Sequence, residues 1–434
     1  MISKYAWYLR EVLKKVWVRV AGFALLAIFS IAMARLLSPF LDGNETLKAG
    51  ADAVEQLLEV LTSSMLAVTT FSLSIAVSAF AAAASTATPR AAILLQEDRT
   101  TQNVLATFLG AFLFGLVGLV ALNADLYNEP GRVVLFIFTV AVIGLVVLAL
   151  IRWIDHLMSF GRMGDTLDRV EAAATDAWSL RLSDPYLGGR KMDQPATEPL
   201  VPIHAHRSGY VQHIDMEALQ DCAAALNAVV YLNGLPGRFV AVGEPVLWIG
   251  RQQLDDDHRD RLCDSIAMGT RRTFEEDPRF GLIVLSEIAS RALSPAVNDP
   301  GTAIDVLGRL VRILSLWKDR AEPEVRFDRV FVPPVTVQEA MEDAFRPLAR
   351  DGAALVEVQI RLQKTLAALR AIAPEIFDAP ASAMAREALS RAEAAALHPS
   401  DLEAIRAAAG WKDRDAKGMA SVVASRAETA EQQI

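Results

Sequence analysis

The chain has 434 residues, of which 53% are hydrophobic, and its formal net charge is −9 at pH 7. This acidic balance argues against nucleic-acid binding, because proteins that bind nucleic acid usually carry a basic surface. The only cysteines are Cys222 and Cys263, too few for a disulfide framework or a zinc cluster. The length allows about two to three domains.

The first 160 residues contain four long apolar stretches. Each could cross the hydrocarbon core of a membrane, which takes about 20 residues of helix. The stretches are Val16–Leu41, Leu57–Ala84, Val104–Ala124 and Val133–Ile154. We therefore predict a domain of four transmembrane helices over residues 1–160, followed by an α+β domain, since the remaining sequence is polar and rich in Gly and Pro.

The charges of the loops predict the orientation of these helices. The segment before the first stretch is basic, which places the N terminus in the cytoplasm according to the positive-inside rule. The first loop is acidic and should face outward, whereas the second loop is basic and should face inward. We expect a bacterial inner-membrane protein with both termini in the cytoplasm. The charges predicted at the two mouths are Asp42, Glu45, Asp52 and Glu55 outside, and Arg90 and Arg99 inside.

The second apolar stretch carries a row of hydroxyl side chains. At about 100° per residue, five of them fall within an arc of roughly 80° on one helix face. These residues are Ser63, Thr70, Ser74, Ser78 and Ser85. Such a stripe can line a water-filled path for ions. It can equally serve close helix packing, because small residues let backbones approach and hydroxyls bond between helices.

The predicted spans carry no acidic residue near their middle, where a coupled transporter usually places an ionisable group. They also lack the paired, Gly/Pro-interrupted helices of many secondary transporters. We expect a homo-oligomeric, channel-like conduit for ions or small solutes, surrounded by membrane lipids and gated by its cytoplasmic domain. The alternative is a non-conducting membrane scaffold or sensor whose cytoplasmic domain binds a protein partner or a small ligand.

Residues 161–200 are predicted to be a connector that begins as a helix and continues as a loop. Over residues 201–251, short alternating segments separated by Gly-containing turns indicate a small β-sandwich or barrel. Its predicted strands are Ser208–Asp215, Ala228–Leu232, Gly237–Val242 and Pro245–Ile249.

Residues 252–397 read as a mainly helical module with one strand at Val325–Val332. Residues 398–434 are predicted to be a C-terminal helix and tail that is partly disordered. The helices of the module are predicted at Leu254–Thr273, Phe280–Leu293, Thr302–Trp317, Thr336–Leu348, Ala353–Ile372 and Ala381–Leu397.

Two motifs carry a resemblance to a known family. One combines Ser85–Arg90 with Asp98–Gln102, and the other runs from Arg291 through Asn298, Asp299 and Pro300 to Thr302 and Ala303. The preceding residues Arg272, Thr273, Asp277, Phe280 and Gly281 share in the resemblance. Together they resemble the DUF2254 family of predicted bacterial membrane proteins, over about residues 10–375. The resemblance implies a membrane architecture and supplies no catalytic residues.

The second motif and the segment before it supply candidates for a ligand or gating site, since helix N-termini attract anions. The other interpretation is a capped turn between helices, with Asp299 paired to Arg271, Arg272 or Arg291. We expect no enzyme, cofactor or metal site, because the sequence has no P-loop, GxSxG or HExxH motif. The candidates are Arg271, Arg272, Asp277, Arg291, Asn298, Asp299 and Thr302.

Overall fold

The structure is a computed structural model that describes residues 16–37, 45–193, 199–251, 253–317 and 323–409. The described chain forms two compact units with their boundary between Thr166 and Leu167. We refer to them as the N-terminal unit and the C-terminal unit. The predicted tail from residue 410 onward and the predicted mouth residue Asp42 lie outside the described residues.

The N-terminal unit consists of α1 (Val16–Leu37), α2 (Glu45–Thr86), α3 (Pro89–Gln96), α4 (Arg99–Asn123) and α5 (Glu129–Leu157). Four of these helices are long and apolar enough to cross a membrane, which confirms the four predicted candidates. Helix α2 begins twelve residues before the predicted apolar stretch. The preceding residues are polar and are also good helix formers, so the helix extends beyond its apolar part.

The interior of the N-terminal unit is mainly apolar, although the hydroxyls of Ser30, Ser72 and Thr139 are buried in it as well. At its centre Gly118 of α4 lies against Leu58 of α2 and close to Leu135 of α5. The missing side chain at Gly118 lets α2 and α4 approach closely, as small residues do between membrane helices. Phe108, Phe114 and Leu135 are fully buried in the same core.

Helix α6 (Met163–Ser183) crosses the boundary between the units. The C-terminal unit then forms two sheets with interspersed helices. The elements are β1 (Gly189–Lys191), β2 (Leu200–His204), β3 (Gly209–Ile214), α7 (Met216–Ala225), β4 (Val230–Leu232), β5 (Phe239–Val240), β6 (Pro245–Gly250), α8 (Asp256–Asp264) and β7 (Ile266–Gly269).

One sheet has five strands in the order β1-β8-β4-β6-β2, where β8 is Phe327–Val332. Strand β8 runs parallel to both of its neighbours, whereas β6 is antiparallel to β2 and β4. The other sheet is antiparallel, in the order β5-β3-β7. The predicted mixture of helices and strands is therefore confirmed, and the strands expected over residues 201–251 are divided between two sheets.

The predicted helix Leu254–Thr273 is confirmed over Asp256–Asp264 and is wrong beyond it. Helix α8 ends at Asp264, and Ile266–Gly269 forms strand β7, which pairs with β3. Ile266, Ala267 and Met268 are buried there. A short apolar run suits a buried strand as well as it suits a helix, and periodicity alone does not distinguish the two.

The remaining helices pack together as a bundle around a common core. They are α9 (Pro278–Ala292), α10 (Pro300–Leu314), α11 (Val337–Asp351), α12 (Val356–Ile372), α13 (Pro374–Ala394) and α14 (Pro399–Ala408). Helix α9 packs against α10 and α11, and α12 packs against α10, α13 and α14. Helix α13 begins seven residues earlier than predicted, because Pro374 is well suited to the first turn of a helix.

Candidate functional site

The hydroxyl stripe of α2 lies on the outer surface of the N-terminal unit. All five of its side chains are exposed within the single chain. The hydroxyl of Ser63 donates to the Glu59 carbonyl at 2.8 Å, and that of Ser78 donates to the Ser74 carbonyl at 2.9 Å. Thr70 and Ser85 bond in the same way to carbonyls of the preceding turn. Each of these four donors is thus satisfied by its own helix, and the hydroxyl oxygens remain on the surface.

The predicted mouth charges that the structure describes lie near opposite ends of this unit. Glu55 is exposed near the start of α2, and the side chains of Glu45 and Asp52 are not among those described. Arg90 and Arg99 are exposed near the starts of α3 and α4, at the other end of the unit. Glu55 therefore lies at the opposite end of the unit from Arg90 and Arg99.

The turn between α3 and α4 is tied to α5 by a buried pair that the sequence analysis did not identify. Asp98 caps α4, since its Oδ2 accepts from the Thr101 amide at 2.7 Å and from the Thr101 hydroxyl at 2.8 Å. His156 Nε2 of α5 lies 3.1 Å from the same oxygen. These side chains are 8% and 12% exposed, so the family-like segment Asp98–Gln102 forms part of the packing of this unit.

In the C-terminal unit, Arg272 and Asp277 form a two-point ion pair. Arg272 Nε donates to Asp277 Oδ2 at 2.6 Å, and Nη2 donates to Oδ1 at 3.0 Å. Asp277 also caps α9 by accepting from the amides of Arg279 and Phe280, each at 3.2 Å. The carboxylate is 2% exposed, and this burial raises its pKa despite the bonds to Arg272. Asp277 therefore has a structural role: it pairs with Arg272 and caps α9.

Around this pair lie buried polar residues that were not among the predicted site residues. Arg181 at the end of α6 is buried and donates through Nη2 to the Glu276 carbonyl at 3.4 Å. Burial lowers its pKa to about 10, so the guanidinium still carries its charge at neutral pH. His213 Nδ1 on β3 lies 2.6 Å from Glu276 Oε1. These contacts join positions far apart in the chain, and no local pattern indicates them.

The second motif forms an exposed, capped turn between α9 and α10. Asp299 accepts from the amide of Thr302 at 3.1 Å and from its hydroxyl at 2.5 Å, and these bonds lower the Asp299 pKa. The expected ion pair between Asp299 and an arginine is therefore wrong, because Thr302 bonds its carboxylate. Arg291 and Asn298 are exposed, and Asn298 has a positive φ of 50°.

The seven candidates do not form one site. Asp277 caps the first turn of α9, and Arg291 lies in its last turn. At 1.5 Å per residue these positions are about 20 Å apart along the helix. The predicted ligand or gating residues thus separate into the pair of Arg272 and Asp277 at one end of α9, preceded by the exposed Arg271, and an exposed turn at the other end. Among the described residues, no group of three or more His, Cys, Asp or Glu is arranged to hold a metal ion.

A cluster of charges joins α6 to α10. Arg309, 9% exposed, donates through Nη1 to Asp168 Oδ1 and Glu171 Oε2, each at 2.7 Å. Arg312 also bonds both oxygens of Glu171. The hydrogen bonds from Arg312 lower the Glu171 pKa below its ordinary value of 4.5. Arg309 is the only one of these four residues that is buried. Its helical spacing indicates Asp305, which Nε bonds at 3.0 Å, but no local pattern indicates Asp168 or Glu171.

This cluster predicts an acid-sensitive contact between α6 and α10. Because the folded state lowers the Glu171 pKa, the carboxylate stabilises the fold above pH 4.5 and loses this effect as the pH falls through the lowered value. We expect hydrogen-exchange protection of both helices, corrected for intrinsic rates, to fall between pH 7 and pH 3.5. The Glu171→Gln variant should show a smaller fall; an equal fall in both proteins would contradict the assignment.

Four long apolar helices followed by a folded α+β unit define this chain as a helical membrane protein with a large additional domain. The chain belongs to the DUF2254 family of predicted membrane proteins, whose match covers residues 14–368.

Similar curated proteins include an uncharacterized protein of Mycobacterium bovis and uncharacterized proteins of two strains of Mycobacterium tuberculosis. Each is 32% identical to this chain over 246 residues, which is 54% of this chain and 46% of the relative. The chain thus spans about half the length of the curated relatives it matches. No solved structure matches it significantly.

Proposed function

We propose that this protein is an oligomeric, channel-like conduit for ions or small solutes, lined by helix α2. The observation that carries the proposal is the hydroxyl stripe of Ser63, Thr70, Ser74, Ser78 and Ser85, which is exposed on a unit whose interior is mainly apolar. A hydroxyl surface suits a water-filled path, because it offers hydrogen-bond oxygens without strong charge.

The conduit in this proposal lies between copies of the chain. Phe108, Phe114 and Leu135 are fully buried at the centre of the single-chain bundle, where they leave the hydroxyl groups on the outside. Copies that assemble around an axis with α2 facing inward would bring their stripes together. The small side chains of the stripe would also permit close packing around that axis.

The proposal places the protein in the bacterial inner membrane with the C-terminal unit in the cytoplasm. The basic residues Arg90 and Arg99 support this orientation through the positive-inside rule. In this position the C-terminal unit can gate the path, and its exposed turn at Arg291–Thr302 is available to a small ligand or a protein partner.

The experiment is an ion-flux assay with the full-length protein in liposomes. We expect flux in the wild type and a loss of about tenfold or more in Ser74→Leu and Ser78→Leu, because apolar constrictions expel water from a pore. Thr107→Leu on α4 is the matched control: its hydroxyl also bonds to its own helix, and the change should leave flux unaltered.

The mass of the assembly in native lipid, measured on the same preparations, tests the oligomer. A clean monomer would contradict a conduit between copies. Absence of flux from correctly folded wild type, or equal flux from the leucine variants, would favour the non-conducting scaffold or sensor. In that alternative the C-terminal unit binds its partner and the helices serve as an anchor.

A further inference from the structure

Glu59 is a charged residue on the same face of α2 as the hydroxyl stripe. It lies one turn before Ser63, about 40° away around the helix, and its carbonyl accepts the Ser63 hydroxyl. Its side chain is exposed on the single chain. Among the described residues, its carboxylate has no hydrogen-bond or ion-pair partner.

The depth of Glu59 follows from the packing of its neighbour Leu58. Leu58 lies against Gly118, five residues before the end of α4 at Asn123, which is roughly 7.5 Å along the helix. The outer surface of the unit is apolar in this region: Val60, Val120 and Ile137 are 61%, 62% and 51% exposed. Glu59 therefore lies within the apolar band of the bundle, below its acidic end.

A carboxylate within the apolar band favours contact with water or a partner. An acidic side chain costs about 2.5–3.5 kcal/mol on insertion scales at the centre of a membrane helix, which is an upper bound for Glu59 near one end of the band, and acidic residues in spans usually face a bundle interior or a water-filled cavity. Between Ala53 and Thr86, helix α2 carries Glu55 and Glu59 and no Lys or Arg. The charge that this face of α2 presents is therefore wholly negative.

We infer that Glu59 of each copy faces the water-filled passage and selects for cations. This inference rests on the proposed function and names its substrate class. A ring of carboxylates within a narrow, low-dielectric path attracts cations and repels anions more strongly than the same charges do at an open mouth. The neutral hydroxyls that follow from Ser63 onward let the cation pass without binding it tightly.

The test is the ratio of potassium to chloride permeability, obtained from reversal potentials of the full-length protein in planar bilayers under a KCl gradient. We expect the wild type to favour potassium. Glu59→Gln should lower the ratio on the order of tenfold, as the loss of a nearby charge at intermediate dielectric implies. Glu129→Gln is the matched control, because Glu129 is an exposed acid in the first turn of α5 and should leave the ratio unchanged.

Water access is tested separately with a charged thiol reagent on protein whose native cysteines are replaced by serine. Glu59→Cys should react at least about tenfold faster than Ile137→Cys, which the inference places against lipid. A conducting wild type that prefers chloride, an equal ratio in wild type and Glu59→Gln, or equal labelling of the two cysteines would overturn this inference alone. A wild type that does not conduct would overturn the proposed function and this inference with it.

Discussion

Replacing Asp277 with alanine is expected to destabilise the C-terminal unit by about 3–5 kcal/mol. The change removes one partner of a buried ion pair, and breaking such a pair is costly because the remaining charge stays desolvated. It also removes the cap of α9, which contributes about 1 kcal/mol. Arg272 would lose both of its bonds to Asp277, and the amides of Arg279 and Phe280 would lose their acceptor.

Asp299→Ala is the matched control for this prediction. Asp299 caps α10 as Asp277 caps α9, but it is exposed and bonds Thr302 in place of an arginine. Its loss should cost only about 1 kcal/mol. Hydrogen exchange of α9 and α10 in the full-length protein measures both changes. A cost for Asp277→Ala that is no larger than that of Asp299→Ala would show that the buried pair contributes little.

Replacing Gly281 with alanine is expected to destabilise the same unit by about 2 kcal/mol, because it forces α6 and α9 apart. A Cβ at Gly281 would clash with Ala174 of α6 and come within 2.8 Å of the Ala174 Cα, closer than packed carbons can lie. Overpacking of this kind costs about 1–3 kcal/mol. Alanine favours helix more than glycine does, but at Gly281 the cost of the clash with Ala174 exceeds this gain.

Gly308→Ala on α10 separates overpacking from helix propensity. A Cβ at Gly308 would meet only the end of the Arg312 side chain, at 3.9 Å. This substitution should stabilise the unit by about 0.5–1 kcal/mol, since alanine favours helix. Adding Ala174→Gly to Gly281→Ala should recover part of the loss. Hydrogen exchange measures the change in stability of both variants. If Gly281→Ala and Gly308→Ala change the stability in the same direction, α6 and α9 are not in the close contact described.

The four membrane helices could be predicted from sequence because length and apolar composition are local properties. The same reasoning placed α9, which begins two residues earlier than predicted and ends one residue earlier. It failed at Ile266–Gly269, where the partner strand lies more than fifty residues away and decides between strand and helix. Local sequence patterns therefore predict an element well when its own residues determine whether it is helix or strand.

The candidate site shows the same limit. Asp277 and Asp299 could be recognised as polar groups at helix starts, and both do cap helices. No pair was predicted for Asp277. The arginine pairs considered for Asp299 do not form, and its carboxylate accepts from Thr302, three residues further along the same turn. Arg181 and Arg309 were missed altogether. Their contacts to Glu276 and Asp168 span 95 and 141 residues of chain.

The position of β8 also determines when the five-stranded sheet can be completed during synthesis. Strand β8 lies inside this sheet, between β1 and β4, although it follows β1 by more than a hundred residues. Until the ribosome has made Val332, β1 has no neighbour and β4 presents a bare edge. At typical elongation rates of about 5–20 residues per second this interval lasts on the order of 10 s. The nascent chain must therefore keep β1 and the free edge of β4 from pairing wrongly during this interval. Its first helices are by then already long enough to enter the bilayer.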